Sequence, residues 1–310
     1  SKFEYLSKIK NKASKVSSFL TIQEGCDKFC HFCVVPYTRG PEYSRPFKQI
    51  LDEAKYLIDS GAKEIILLGQ NVNAYDSEGY RLSDLILNIE KFPEIKRVRY
   101  TTSHPKDMTE DLIEVYKISK KLMPLVHLPV QSGSNKILKS MNRKHTIEEY
   151  LNTFNKLKEI NPNIEFSSDF IIAYPGESEK DFIKTCELVK NVKFINSYSF
   201  IFSARPGTPA GNMKTIDLNT AKKRLLTFQK ITDDLKFNYK KQLINQEVNA
   251  LFENKVNGKE NYYFGRDDFH NPVVVFSNKN IIGQEKKVII REITKQTVYG
   301  ELVKNKYLAA

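Results

Sequence analysis

The first two hundred residues alternate between short apolar runs and longer segments in which an apolar residue recurs every three or four positions. Short runs are typical of buried strands, and the longer segments are typical of amphipathic helices. The pattern predicts six strands, at 16–23, 64–68, 97–102, 125–130, 165–172 and 197–202. It predicts intervening helices at 46–58, 82–89, 112–118, 147–160 and 181–192. Six strand-helix units in succession indicate an α/β fold with a parallel sheet and outer helices.

The pattern changes after the sixth unit. A long helix is predicted at 219–243, carrying seven Lys and Arg residues. Five short alternating strands follow, at 248–253, 262–266, 273–276, 286–293 and 297–302. Such a run predicts a small antiparallel β-barrel of the OB-like kind, which often binds single-stranded nucleic acid. The predicted organisation is a basic linker at 1–15, a core at 16–243, the small barrel at 244–304 and a tail at 305–310.

Composition narrows the class of protein. No run approaches the roughly 18 apolar residues of a membrane span, and no signal peptide precedes the first strand. We therefore expect a cytoplasmic protein without membrane contact, and a monomer. The net charge of +12 favours a polyanionic partner, although a solvated lysine-rich surface would give the same number.

Three of the four cysteines lie within eight residues, as Cys26, Cys30 and Cys33. Three thiols cannot all form disulfides with one another, so a metal site is the stronger interpretation. A structural zinc site normally has a fourth protein ligand, and none lies nearby at the usual spacing. An iron-sulfur cluster held by three thiolates keeps one iron free for another ligand. A zinc-stapled RNA-binding protein remains the non-enzymatic alternative.

The spacing Cys-x3-Cys-x-aromatic-Cys, with Phe32 as the aromatic residue, resembles the signature of the radical S-adenosylmethionine (SAM) enzymes. The segments 34–40, 44–46 and 68–75 resemble the methylthiotransferases of that family, most of all those that act on N6-dimethylallyladenosine in tRNA. The resemblance implies a partial (β/α)6 barrel with one 4Fe-4S cluster on the three cysteines. It also implies that the free iron chelates SAM and that one-electron cleavage yields a 5′-deoxyadenosyl radical.

The resemblance also implies SAM-binding residues at the strand exits. Those predicted are Phe32, Gly69, Gln70, Asn71, Gln131, Ser132, Asp169 and Pro175. From the residues alone, the Gly-Gln-Asn segment could be an ordinary turn and the serine region could simply precede a helix. No protein acid or base is assigned, because the radical performs the hydrogen abstraction.

Three arginines are predicted to bind the substrate, RNA or a carboxylate: Arg39, Arg205 and Arg266. The last belongs to a stretch, 262–269, that resembles the TRAM domain of the methylthiotransferases. Its Phe264 and Phe269 could stack on unpaired bases or belong to the core of the small barrel.

The implied reaction adds a methylthio group at C2 of N6-dimethylallyladenosine next to the anticodon of tRNA. It requires an electron donor such as a flavodoxin or a ferredoxin. Members of this family carry an additional N-terminal domain with three cysteines and a second cluster, and we expect this chain, which lacks them, to cleave SAM but not to complete sulfur insertion. Methylthiotransferases for threonylcarbamoyl-adenosine or for a ribosomal-protein aspartate remain alternatives.

Overall fold

A computed structural model describes residues 15–303. The predicted tail and all but the last residue of the predicted basic linker lie outside this range. The strands are β1 (Ser17–Thr21), β2 (Gln23–Glu24), β3 (Tyr43–Ser44), β4 (Glu64–Leu68), β5 (Asp76–Ser77), β6 (Tyr80–Arg81), β7 (Arg97–Tyr100), β8 (Leu125–His127), β9 (Glu165–Ile172), β10 (Asn196–Ile201), β11 (Glu247–Lys255), β12 (Tyr262–Asp267), β13 (Pro272–Phe276), β14 (Glu285–Ile293) and β15 (Val298–Leu302). The α-helices are α1 (Val35–Arg39), α2 (Phe47–Asp59), α3 (Leu82–Ile89), α4 (Glu110–Ile118), α5 (Asn135–Ser140), α6 (Ile147–Ile160), α7 (Glu179–Val192) and α8 (Leu218–Gln242).

The six predicted core strands form two parallel three-stranded sheets, β1-β4-β7 and β8-β9-β10. A parallel bridge between Val98 and Leu122 joins them. The strands therefore follow one another in chain order around an open barrel, as predicted. The helices pack their apolar faces on the outside, as in α2, which buries Ile50, Ala54 and Ile58 at four-residue intervals.

The predicted first strand, 16–23, is divided. After Thr21 the chain leaves β4, and β2 pairs with β3 in an antiparallel ladder instead. Strands β7 and β8 end at residues 100 and 127, before the predicted ends at 102 and 130. At Thr102 φ is +68°, a left-handed conformation that no strand can continue. The two-residue strands and the short helices α1 and α5 were not predicted, since a few residues carry no measurable period.

The predicted small barrel is closed, with strand order β11-β12-β13-β15-β14. All pairs are antiparallel except β13 with β15. Its core is separate from that of the large domain and includes Phe252, Val275, Val288 and Ile290. Gly300 allows two strands to approach closely, because a Cβ there would lie 2.4 Å from Val288 Cγ1.

Arginines of β7 attach the small barrel to the large domain. The side chain of Arg97 is fully buried and donates to Glu285, to the carbonyl of Arg266 and to the carbonyl of Asn249, at 2.8, 2.8 and 3.1 Å. It also lies 3.0 Å from a carboxylate oxygen of Asp268. Because Arg97 begins β7, the small barrel covers the amino end of the strands. Within residues 15–303, no helix is long and apolar enough to cross a membrane.

Candidate functional site

The cysteine loop, residues 25–34, connects β2 to α1 at the carboxyl end of the first strand. Gly25 begins it with φ +78°, and a Cβ at this position would lie 1.9 Å from the carbonyl oxygen of Pro41. The amide of Gly25 donates to Gln70 Oε1 at 2.7 Å, and the amide of Cys26 donates to the carbonyl of Gly40 at 3.2 Å. Backbone contacts therefore fix the start of the loop.

The three thiols of this loop are partly shielded from water. Cys30 is buried, and Cys26 and Cys33 are half-buried. Burial raises the pKa of Cys26 to about 11 and also raises the pKa of Cys33, so a bound metal must displace their protons. With the side-chain conformations of this structure, residues 15–303 contain no group of three or more His, Cys, Asp or Glu side chains that could hold one metal ion. The assignment of a cluster to these cysteines stays a prediction from the sequence.

A second segment, the turn at residues 140–143, holds the cysteine loop from one side. Four contacts join them: His31 Nδ1 to the carbonyl of Ser140 (2.9 Å), the amide of His31 to the carbonyl of Met141 (3.0 Å), Asn142 Nδ2 to the carbonyl of Phe29 (2.8 Å) and Arg143 Nη1 to Cys30 Sγ (3.5 Å). Since His31 Nδ1 donates to a carbonyl, this ring nitrogen is not a metal ligand. The turn places a cation directly beside one thiol.

The exit of β4 supports the cysteine loop. Gly69 packs on Gln23, whose Oε1 would lie 2.7 Å from a Cβ at position 69. The same oxygen accepts from the amide of Asn71 at 3.1 Å, while the side-chain oxygen of Gln70 accepts from Gly25. The glycine at 69 is therefore explained by contact with Gln23, a residue that the sequence did not single out.

Asn71 is a SAM-binding candidate whose side-chain oxygen has no hydrogen-bond partner among residues 15–303. Its Nδ2 donates to Glu42 Oε1 at 2.9 Å and to Asp107 Oδ2 at 2.8 Å, whereas its Oδ1 is buried without a partner. Ser103 Oγ and His104 Nε2 are also buried without a partner. His104 Nδ1 accepts from the amide of Lys106, so Nε2 carries a proton, and burial lowers the pKa of this ring. Unpaired buried polar atoms of this kind suit a polar ligand.

The exit of β8 contains Gln131 and Ser132. Gln131 has φ +75° and forms a parallel bridge with Phe170. Ser132 is completely buried, and its Oγ accepts from the amide of Ser134 at 3.2 Å. Ser134 in turn donates to Asp181 at 2.7 Å. In this structure the hydroxyl of Ser132 stabilises its own loop.

Two more SAM-binding candidates are apolar side chains. Phe32 packs against a cluster that contains Ile137, Met141, Tyr174, Phe202 and Ala210. Pro175, in the turn that follows β9, is also buried. The role of Phe32 beside the adenine of SAM stays a prediction.

A cavity of about 510 Å³ lies inside the large barrel. Its lining includes Phe19, Arg99, His127, Asp169 and Tyr198 of the large domain, and Glu253, Arg266 and His270 of the small barrel. Asp169 Oδ2 lies 3.5 Å from His127 Nε2. Arg99 Nη1 is buried and has no hydrogen-bond partner within the part of the chain that the structure describes. The cavity thus combines exposed aromatic rings with polar groups from both domains.

The three predicted substrate arginines occupy different places. Arg39 is exposed beside the cysteine loop, 3.3 Å from Glu24. Arg205 is exposed on the segment after β10. Arg266 lies in the interior cavity, 3.4 Å from Glu253 and stacked over Phe264 at 5.2 Å. Phe269 contacts Tyr239 of α8 edge to face, which makes it an interdomain packing residue.

Three groups at the site escaped sequence reasoning: Arg143, Gln23 and His127. Each acts through a contact with a segment distant in the chain, as between Arg143 and Cys30, 113 residues apart. Local sequence contains no signal for such pairing.

The sequence profile of the radical SAM superfamily matches residues 20–189. The chain is 61% identical over 309 residues to the tRNA-2-methylthio-N(6)-dimethylallyladenosine synthase of Pelagibacter ubique (strain HTCC1062), covering 98% of this chain and 69% of that one. It is 51% identical over 264 residues to the synthase of the same name from Wolbachia pipientis subsp. Culex pipiens, covering 84% of this chain and 60% of that one. The chain therefore spans about two thirds of these relatives.

Solved structures of low sequence identity share the fold. The radical SAM methyltransferase TsrM from Kitasatospora setae, solved with cobalamin and a 4Fe-4S cluster, matches with a TM-score of 0.53 at 14% identity, over 68% of this chain and 40% of that one. The coproporphyrinogen III oxidase HemN from Escherichia coli matches with a TM-score of 0.51 at 12% identity, over 82% of this chain and 67% of that one.

Proposed function

Since the chain belongs to the radical SAM superfamily and, within it, to the family of the tRNA-2-methylthio-N6-dimethylallyladenosine synthases, we propose that it directs a SAM-derived radical to C2 of N6-dimethylallyladenosine next to the tRNA anticodon. The observation that carries this proposal is the Cys-x3-Cys-x-aromatic-Cys loop at the carboxyl end of a parallel barrel. Parallel barrels place their chemistry at this end.

Cys26, Cys30 and Cys33 would hold the 4Fe-4S cluster, and the free donors and acceptors around Asn71 would bind the polar groups of SAM. The chemistry that the cluster and SAM supply in this family is one-electron cleavage of SAM, giving a radical that removes a hydrogen atom. The surrounding residues fit these groups. A cationic guanidinium faces one thiol, and buried polar atoms without protein partners lie at positions 71, 103 and 104. Phe32, together with the apolar cluster on which it packs, would offer a surface to the adenine, and Pro175 would contact the adenosyl group.

The other residues proposed to bind SAM fall into two groups, those whose side chains are free of hydrogen bonds to the protein and those whose side chains or backbone already contact it. Gln131 follows β8, and Asp169 lies within the neighbouring strand β9. Among residues 15–303, the side chain of Gln131 has no hydrogen bond, and that of Asp169 has only the 3.5 Å contact with His127. Gly69, Gln70 and Ser132 are engaged with the protein, so their contribution would come through backbone groups or through the position of the loop.

The interior cavity is proposed to receive the target base. A volume of about 510 Å³ can hold a nucleoside, and small-ligand sites commonly have this size. Phe19 and Tyr198 present exposed rings for stacking, while the unpaired Nη1 of Arg99 can donate to a ring nitrogen. Because Glu253 and Arg266 also line the cavity, the small barrel would take part in selecting the base.

The small barrel also offers a surface for unpaired RNA. A groove on it is lined in part by Lys255, Phe264 and Tyr299, and Lys259 stacks over the ring of Tyr262 at 5.5 Å. Stacking of a base on an aromatic side chain contributes about 1–3 kcal/mol, and a groove with nearby cations follows the backbone. This groove would bind unpaired bases, which are already accessible in an anticodon loop. Arg39 and Arg205 are exposed at the other end of the large barrel, on the side of the cysteine loop, and would contact the RNA there.

The 310 residues supply thiols for one cluster. Besides the three in the loop, Cys186 is 8% exposed and packs in the core of the large domain. We therefore propose that this polypeptide cleaves SAM without completing sulfur insertion. A flavodoxin or ferredoxin would donate the electron, and the protein would act as a cytoplasmic monomer.

Incubation of tRNA with reduced protein and SAM, followed by mass spectrometry of the nucleosides, tests this function. We expect 5′-deoxyadenosine whose formation is stimulated by tRNA that contains N6-dimethylallyladenosine, with no methylthiolated nucleoside. Matched tRNA with unmodified adenosine is the control. Stimulation by threonylcarbamoyl-adenosine tRNA instead, or by a ribosomal protein, would assign the chain to one of the alternative targets.

A further inference from the structure

The guanidinium of Arg143 is a buried cation with an unusual set of partners. Arg143 is 5% exposed, its Nη2 donates to the carbonyl of Pro129 at 2.5 Å and its Nη1 lies 3.5 Å from Cys30 Sγ. Among residues 15–303, its Nε has no hydrogen-bond partner and no carboxylate forms an ion pair with its guanidinium. A buried charge is costly unless an opposite charge or strong hydrogen bonds compensate it. In the described part of the chain, the sulfur that its guanidinium contacts is that of Cys30.

We propose that Arg143 is a positioning residue that raises the reduction potential of the cluster through the sulfur of Cys30. The proposal rests on the proposed function, because it requires the cluster on the cysteine loop. As a metal ligand, Cys30 carries a thiolate, which supplies the negative charge that Arg143 lacks in the protein alone. The contact then becomes a charge-assisted hydrogen bond.

The direction of the effect follows from charge. Reduction adds one electron to the cluster, and a fixed cation at a buried sulfur stabilises the more negative form. Hydrogen bonds to the sulfurs are among the factors that set the potentials of iron-sulfur proteins, and partners of metal ligands tune the metal. Arg143 therefore makes the electron transfer that precedes SAM cleavage more favourable.

The position of Arg143 is fixed independently of any metal. Its amide donates to the carbonyl of Leu138 at 3.0 Å, and its carbonyl accepts from His145 Nδ1 at 3.0 Å. The flanking residues Asn142 and Lys144 both have left-handed φ values, +57° and +61°. The turn thus has a defined shape that aims the guanidinium at the loop.

The same turn provides a matched control. Asn142 Nδ2 donates to the carbonyl of Phe29 at 2.8 Å, which holds the same loop through a neutral hydrogen bond. If the turn serves only to support the loop, losing this bond and losing the Arg143 contact should have similar consequences. If charge matters, only the loss of Arg143 should change the potential.

The test is an EPR-monitored redox titration of the reconstituted wild type and of Arg143→Gln, Arg143→Lys and Asn142→Ala, with iron measured in each. We expect Arg143→Gln to lower the equilibrium constant for reduction about tenfold, which is about 59 mV for a one-electron couple. Arg143→Lys, which keeps the charge, should remain within about threefold of the wild type, and Asn142→Ala should match it.

An unchanged potential in iron-loaded Arg143→Gln would overturn the proposal, as would an equal shift in Asn142→Ala. If Arg143→Gln does not retain iron, Arg143→Lys decides: retention of iron and potential supports the role of the charge, and loss of iron overturns it in favour of a structural role. A wild type that binds no iron would contradict the proposed function itself.

Discussion

Replacing Cys30 with alanine is expected to abolish both the visible absorbance of the reconstituted protein and its formation of 5′-deoxyadenosine. Cys30 is the most buried of the three loop cysteines and the one that contacts Arg143. A 4Fe-4S cluster with only two thiolates left is not held, and even the outer partners of metal ligands contribute about 10–100-fold to affinity or activity. We therefore expect a loss of more than about 100-fold, measured by absorbance and by chromatography of the nucleoside product.

Cys186→Ala is the matched control, because Cys186 is buried in the core away from the loop. It should keep its colour and its activity while losing some stability, as expected for a small cavity. Retention of the absorbance in Cys30→Ala would contradict the assignment of the cluster, and so would its loss in Cys186→Ala.

Replacing Arg97 with alanine is expected to produce the largest loss of stability among single substitutions at the domain junction. The side chain of Arg97 is 1% exposed, and it satisfies carboxylates of Asp268 and Glu285 together with two carbonyl groups of the small barrel. Breaking a buried ion pair by removing one partner costs up to about 3–5 kcal/mol. We expect about 3 kcal/mol, because two carbonyl groups lose their donor while the carboxylates of Asp268 and Glu285, 28% and 34% exposed, are partly solvated by water. Urea unfolding of the two proteins at the same pH measures this difference.

Two further variants distinguish the loss of the buried contacts of Arg97 at the domain junction from the loss of a positive charge. Arg81→Ala removes an exposed pair with Asp111 and should change the free energy of unfolding by less than about 1 kcal/mol. Arg97→Lys keeps the charge but cannot reproduce the forked contacts, so most of the loss should remain. Equal unfolding midpoints for Arg97→Ala and Arg81→Ala would show that the buried arginine does not hold the small barrel in place.

The sequence predicted those parts of the fold in which a hydrophobic pattern extends over at least four residues. The six strands and the five-stranded barrel were recovered because alternating and buried runs of this length are hard to mimic. The ends of β7 and β8 were placed too late, since the left-handed residue Thr102 and the irregular segment after His127 follow apolar residues that extend the pattern. The two-residue strands were missed because each is defined by its pairing with another segment, as β2 is by its pairing with β3. A local sequence pattern does not encode such a pairing.

Prediction of the site was limited in the same way, because contacts between segments that are distant in the chain leave no local signal in the sequence. The cysteine spacing is a local signal, so the loop was identified directly. The close packing of Gly69 on Gln23 was not predicted, because these residues are 46 positions apart, while its contact with SAM stays a prediction. Arg266 was predicted to bind the substrate, RNA or a carboxylate, and this stays a prediction. Its place in the lining of the interior cavity was not predicted. That cavity is formed by tertiary contacts alone.

The measurement that tests the central claim most directly is the iron and sulfide content of the anaerobically reconstituted 310-residue protein, together with its production of 5′-deoxyadenosine from SAM. Cluster binding by three cysteines predicts about four iron and four sulfide ions per chain, a brown protein and measurable 5′-deoxyadenosine. About eight iron ions per chain would contradict the claim of a single cluster. A colourless protein with stoichiometric zinc and no 5′-deoxyadenosine would contradict the radical SAM activity.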